Sequence, residues 1–203
     1  MVFCLAMLVA GQAMAVGLSL NPSQQTVNVN ETFTTTLDIS GLPTTGPDSL
    51  GAFALDVTYD PSLLNFNSVS FGSYLGVPDT DQGAGISITF ENDIFVDSST
   101  AGVVYLDETS FLFDFELDAL QNTDPFNLAT LTWTSVAVGS SSLGLSSVDL
   151  SDAAFPANTI QDVTLNEAQV TVVPEPTTWL LFGTGFLGLV GFGRRKFANQ
   201  KQG

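Results

Sequence analysis

The chain has 203 residues, is 44% hydrophobic, and carries 21 acidic against 4 basic side chains, with no histidine and one cysteine. That length allows one domain plus targeting segments, and the apolar content argues against an acidic disordered chain. Every acid lies between Glu31 and Glu175 and every cation (Arg194, Arg195, Lys196, Lys201) follows them, so a body spanning residues 16–173 has no Lys, Arg or His. Nothing in that body can neutralise nucleic-acid phosphates or bind an acidic ligand. Ser-His and Cys-His catalysis, Schiff bases and His-ligated zinc are excluded with them. Neutral glycans, Ca²⁺ or a basic partner face stay open.

In chain order, the apolar run Val2–Ala10 precedes Ala13-Met14-Ala15, the pattern of a secretory signal peptide over residues 1–15, although Met1-Val2-Phe3 lacks the usual cation. Cys4 lies inside that run, so cleavage at Ala15 leaves a mature chain without disulfides. The body then reads as strands. Phe33, Thr35, Leu37 and Ile39 alternate with Thr34, Thr36, Asp38 and Ser40. Phe53, Leu55, Val57 and Tyr59 alternate with Ala52, Ala54, Asp56 and Thr58; Ile86, Ile88 and Phe90 repeat the period. Phe111, Phe113, Phe115 and Leu117 oppose Leu112, Asp114, Glu116 and Asp118, which predicts another strand. Ala129, Leu131 and Trp133 follow, with Trp133 facing inward, and Val170 and Val172 close the body. Turns fall at Gly41-Leu42-Pro43, Asp60-Pro61, Pro78-Asp79, Asp124-Pro125 and Gly139-Ser140-Ser141. No amphipathic helix is evident in the body. Eight or nine short strands at this spacing predict an all-β antiparallel sandwich or barrel.

The stretch Gly51-Ala-Phe-Ala-Leu-Asp-Val-Thr-Tyr-Asp-Pro-Ser-Leu-Leu-Asn-Phe66, followed by Val69-Ser-Phe-Gly72, resembles the early strand pair of a cohesin domain. Phe111–Leu117, Leu128–Trp133, Val148-Asp-Leu-Ser-Asp-Ala153 and Ala168-Gln-Val-Thr-Val172 follow in the order of that family's later strands. The resemblance implies a nine-stranded jelly-roll sandwich that binds another molecule, in cohesins a calcium-loaded dockerin module, and does no chemistry. It names no contact residue here. Tyr59-Asp60-Pro61 also has a structural reading: Tyr59 closes the inward face, Asp60 bonds turn amides and Pro61 presets φ.

Two acidic groups are candidates for calcium. Asp79-Thr80-Asp81-Gln82-Gly83 opens like a calcium loop, but the sixth and twelfth positions hold Ala84 and Phe90, so it is no EF-hand. Asp79 and Asp81 are left as a looser site or a solvated turn. Asp114, Glu116 and Asp118, read as one strand face with successive spacings of about 7 Å, form either a hydrated face or a Ca²⁺ site. Carboxylates so spaced could also cleave a glycosidic bond. Asp107 and Glu108 lie close by in sequence.

The tail carries the address. Pro174 and Pro176 bracket Glu175 and stop the preceding strand. Residues 179–193 carry no charge, begin at Trp179, and are closed by Arg194, Arg195 and Lys196. As a helix this run rises about 22 Å, short of a span unless Thr177 and Thr178 join it. Its glycines suit a membrane helix better than a soluble one. Gly183-Thr184-Gly185-Phe186-Leu187-Gly188 matches a dinucleotide loop but has no acid after it, which leaves helix packing as its use. Together, Pro174-Glu175-Pro176, the apolar run and the basic end resemble the PEP-CTERM sorting signal of exopolysaccharide-producing bacteria. That resemblance implies export, membrane residence through the tail, and handling by an exosortase-type enzyme over residues 174–203. The expectation is an exported, non-enzymatic binding or adhesion protein of the cell envelope or exopolysaccharide, whose partner is a dockerin-like module or a polysaccharide. A matrix protein without a specific ligand and a carboxylate-based glycosidase are the alternatives.

Overall fold

The computed structural model describes residues 15–42, 49–77, 91–175 and Thr184. Within them lie eleven strands and one short helix: β1 (Gly17–Asn21), β2 (Gln24–Asn28), β3 (Thr32–Ser40), β4 (Leu50–Thr58), β5 (Leu64–Phe71), β6 (Asn92–Asp97), β7 (Val103–Ser110), α1 (Asp114–Leu120), β8 (Phe126–Ser135), β9 (Gly139–Asp152), β10 (Thr164–Asn166) and β11 (Ala168–Val173). The strands form two sheets, β10-β1-β3-β8-β5 and β2-β11-β9-β4-β7-β6, packed face to face. Expected as about nine strands, the all-β sandwich has more because its first run is divided. Pro22 cannot donate to a ladder, and the chain changes sheets between β1 and β2. Most pairs are antiparallel, but β1 pairs β10 and β2 pairs β11 in parallel.

The period of two decides which side chains meet. Phe33, Thr35, Leu37 and Ile39 of β3 and Phe53, Leu55 and Val57 of β4 are buried, while the alternate residues face solvent. Each buried Leu, Val or Phe stabilises the fold by about 1.5–3 kcal/mol relative to exposure. Trp133 is fully buried at the centre, edge-on to Tyr59 at 5.1 Å and to Phe66 at 5.5 Å. Its indole Nε1 donates to Thr35 Oγ1 at 2.9 Å, so the one polar atom of the ring is satisfied. The Asp60 carboxylate accepts from the Ser62 amide at 2.9 Å and the Ser62 hydroxyl at 2.6 Å, and these bonds hold it below the usual carboxylate range. Tyr59 and Asp60 thus have the structural roles expected of them. At Gly72 the chain passes against β8, where a Cβ would collide with the Asn127 carbonyl oxygen.

The expected strand at Phe111–Leu117 does not form. Among the described residues the β6–β7 pairing runs to Asn92 and Ser110, with one further bond from the Phe111 amide to the Glu91 carbonyl at 2.7 Å. Residues Asp114–Leu120 coil into α1 instead, with acids in the first turn and only Leu117 buried. Glu116 accepts the Phe113 amide at 3.0 Å, and Asp114 the Phe115 amide at 2.8 Å. Gln121 fixes the far end, accepting from the Leu50 amide at 2.8 Å and donating to the Leu50 and Tyr74 carbonyls at 2.8 and 3.1 Å. The expected strand at Ile86–Phe90 lies outside the described residues.

Candidate binding face

Along β4, Ala52, Ala54 and Asp56 point outward, because their neighbours Phe53, Leu55 and Val57 fill the core. Antiparallel pairing sets Ala54 opposite Asp107 of β7 on one side and Asp149 of β9 on the other. Ala52 lies likewise between Thr109 and Ser151. Small residues in the middle strand and longer ones on both flanks make a trough. Its cavity of about 190 Å³ is lined by Ala52, Ala54, Asp107, Thr109, Asp149 and Ser151. One row further, Tyr105 lies opposite Asp56, and its hydroxyl donates to Asp107 Oδ2 at 3.0 Å. Burial, that hydrogen bond, and the field of Asp107, Asp56 and Asp149 push the Tyr105 phenol up from its ordinary value. Phe95 of β6 packs edge-on to Tyr105 at 6.1 Å and is 57% exposed. The face is therefore a shallow apolar floor with a carboxylate on each wall, a third beyond, and aromatic rings on one flank. No cation of the body can pair with these acids.

Directly beneath, β7 turns Glu108 inward, where it is buried with Asn92 of β6. Asn92 Nδ2 donates to Glu108 Oε1 at 2.6 Å, while Asn92 Oδ1 and Glu108 Oε2 have no partner among the described residues. Burial outweighs that bond and pushes the Glu108 carboxyl up to about 8, which favours its neutral form. A proton on Glu108 Oε2 gives the pair a donor that the ionised form lacks.

The outward face of the other sheet is different in kind. Thr32, Thr34 and Thr36 of β3 lie beside Thr134, Thr132 and Thr130 of β8. Thr32 and Thr134 share a hydrogen bond at 3.3 Å, and Asn67 donates to Thr134 at 2.8 Å. Asp38 accepts from Asn21, Thr36 and Asn127 at 2.8, 3.0 and 2.9 Å.

The candidate residues named from sequence are scattered. Asp114, Glu116 and Asp118 lie on α1 and not on a strand face: Asp114 and Glu116 bond amides of their own turn, and Asp118 accepts from the Ser49 hydroxyl. Among the described residues no three carboxylates converge as metal ligands. Asp79 and Asp81 lie outside the described residues, as do Pro176, Arg194, Arg195, Lys196, the apolar run 179–193 apart from Thr184, and residues 1–14 of the expected signal peptide. Pro174 and Glu175 follow β11 directly, and both are exposed. Among the described residues no helix is long and apolar enough to cross a membrane. Asp56, Tyr105 and Asp149 were not singled out by the sequence. Alternation places each on an outward row, but only the β9-β4-β7 order makes them neighbours.

The family model of the cohesin domain matches residues 18–155, and that of the PEP-CTERM protein-sorting motif matches residues 172–196. Three solved structures illustrate the likeness of fold. A cohesin from Clostridium acetobutylicum is 21% identical, with 79% of this chain and 92% of that one covered at a TM-score of 0.56. The seventh ScaB type I cohesin from Pseudobacteroides cellulosolvens is 13% identical, with 79% and 94% covered at 0.58. A chain of a type I cohesin–dockerin complex from Clostridium thermocellum is 15% identical, with 82% and 99% covered at 0.57. No curated protein matches the chain by sequence.

Proposed function

The chain belongs to the cohesin domain family, and from that premise we propose that it is an exported, non-enzymatic protein-binding module that docks its partner on the outward face of the β9-β4-β7-β6 sheet. The partner is a dockerin-like module with basic and hydroxyl groups at its contact. The supporting observation is the trough between Asp107 and Asp149, whose carboxylates have no cation of their own body to meet. A partner that brings cations supplies them, and electrostatic complementarity of this kind speeds encounter and rejects acidic competitors. Ala52 and Ala54 leave the floor low enough for a helix or loop to sit between the walls. An enzymatic reading has no support in this geometry, because Asp114 and Glu116 are occupied with helix-capping amides.

The PEP-CTERM motif marks the protein as exported and envelope-associated. In our reading an exosortase-type enzyme handles the Pro174-Glu175-Pro176 region, the apolar tail holds the chain in the membrane beforehand, and the processed protein joins the cell surface or its exopolysaccharide. Mass spectrometry of protein from the native cell should find the tail missing; an intact C-terminus would refute processing. For docking, the full chain is titrated with the calcium-loaded dockerin modules encoded in its own genome. Saturable binding of at least one is expected, lost when Asp107 and Asp149 are both changed to Lys. Silence from all of them, or binding indifferent to those changes, would overturn the reading.

A further inference from the structure

Phe111, Phe113 and Phe115 are 59%, 69% and 67% exposed, although an alternating sequence pattern would bury them. Their backbone is nonetheless tied down. Glu116 holds the Phe113 amide, Asp114 holds the Phe115 amide, and Gln121 ties the end of α1 to Leu50 and Tyr74. The rings of Phe113 and Phe115 stack at 5.8 Å with their planes 9° apart. Phe155, fully exposed, belongs to the same end of the sandwich: Ala153 donates to the Ser49 carbonyl at 2.8 Å, and the Ser49 hydroxyl donates to Asp118 of α1. Large apolar side chains gathered in the open at one end of a fold mark an interaction surface.

We propose that this end of the sandwich is a second recognition surface, separate from the trough, for an apolar helix of a partner protein with lysine or arginine along its rim. Charge selects that occupant. Asp114 and Glu116 flank the rings, and the body offers no cation to balance them, so a matching surface is apolar at its centre and basic at its edge. A lipid surface fits less well. β11 pairs Val172 with Gly139, so the chain leaves for its sorting tail at the end where β9 begins, whereas the phenylalanines lie where β9 ends. A strand of 14 residues separates those ends by roughly 40 Å. A chain held in a membrane by its tail therefore directs the aromatic end outward.

The test places the full chain in phosphatidylcholine nanodiscs and maps phenylalanine oxidation by hydroxyl-radical footprinting, with and without a synthetic amphipathic Leu/Lys helix. Phe113, Phe115 and Phe155 should oxidise freely in the nanodisc alone and become several-fold protected when the peptide is added. A Phe113→Ser, Phe115→Ser double variant should bind the peptide about tenfold more weakly. Its melting temperature should stay unchanged, since the lost rings are exposed. Protection before any peptide is added would make lipid the occupant. Equal affinity of the double variant would reduce the attraction to bulk charge. Either result overturns the proposal. Changing Asp107 and Asp149 to Lys should leave phenylalanine protection in place, which separates this surface from the trough.

Discussion

The two sheets share a core but treat their polar groups in opposite ways. On the five-stranded sheet the outward threonines and Asp38 bond one another, and beneath them Thr35 satisfies the Trp133 indole. On the six-stranded sheet Asp56 and Asp149 face solvent without a hydrogen-bond partner among the described residues, and beneath them Glu108 and Asn92 each keep a buried oxygen unpaired. A self-satisfied face gains little from a partner, because each contact must first replace a bond already made. An unsatisfied, singly charged face gains more. The difference supports the proposal that the six-stranded sheet binds the partner and the five-stranded sheet serves as scaffold.

The largest effect should come from beneath the acidic face. Burial raises the Glu108 carboxyl to about 8 from its ordinary 4.5, so the folded protein binds the extra proton between those two values. Stability is then full below about pH 4.5, falls as pH rises through that window, and levels off above 8. The loss is on the order of a few kcal/mol. Urea melts of the wild type from pH 5 to pH 9 should show it, and Glu108→Gln, which keeps the shape without the charge, should flatten the profile. A wild-type profile flat across that window would mean that the pair is not protonated when folded.

Next comes docking. Asp56→Lys, or Asp107→Lys with Asp149→Lys, should weaken partner affinity by about a hundredfold. Thr132→Lys on the opposite sheet should change it less than about twofold. Calorimetry on both variants sharpens the contrast between the faces; equal losses would erase it.

Smaller effects should run the other way, in stability. Asp38→Ala removes three accepted hydrogen bonds and should cost about 1–2 kcal/mol. Asp149→Ala removes none and relieves repulsion among like charges, so its effect should stay within about 0.5 kcal/mol of zero. Chemical melts at low salt and neutral pH distinguish the two.

Much of this sandwich could be read from alternation alone. The buried rows of β3 and β4, the inward Trp133 and the Asp60 turn follow from a period of two and from turn chemistry, both of which are local. The Phe111–Leu117 segment failed because alternation describes a face and not a partner. Within the described residues the β6–β7 register stops at Asn92 and Ser110, and Glu116 accepts the Phe113 amide at the start of a helix instead. The trough was hidden for a related reason. Asp56, Asp107 and Asp149 are far apart in sequence, and only non-local pairing of β9, β4 and β7 assembles them. Glu108 could have been found: it continues the inward row of Val104 and Leu106, which puts a carboxyl where a hydrophobe belongs.

The most direct test is methyl NMR of the full chain, labelled at alanine and threonine, during titration with a dockerin module. The account predicts that Ala52 and Ala54 shift or broaden while Thr130, Thr132 and Thr134 stay in place. Movement of the threonine methyls with Ala52 and Ala54 unmoved would contradict it.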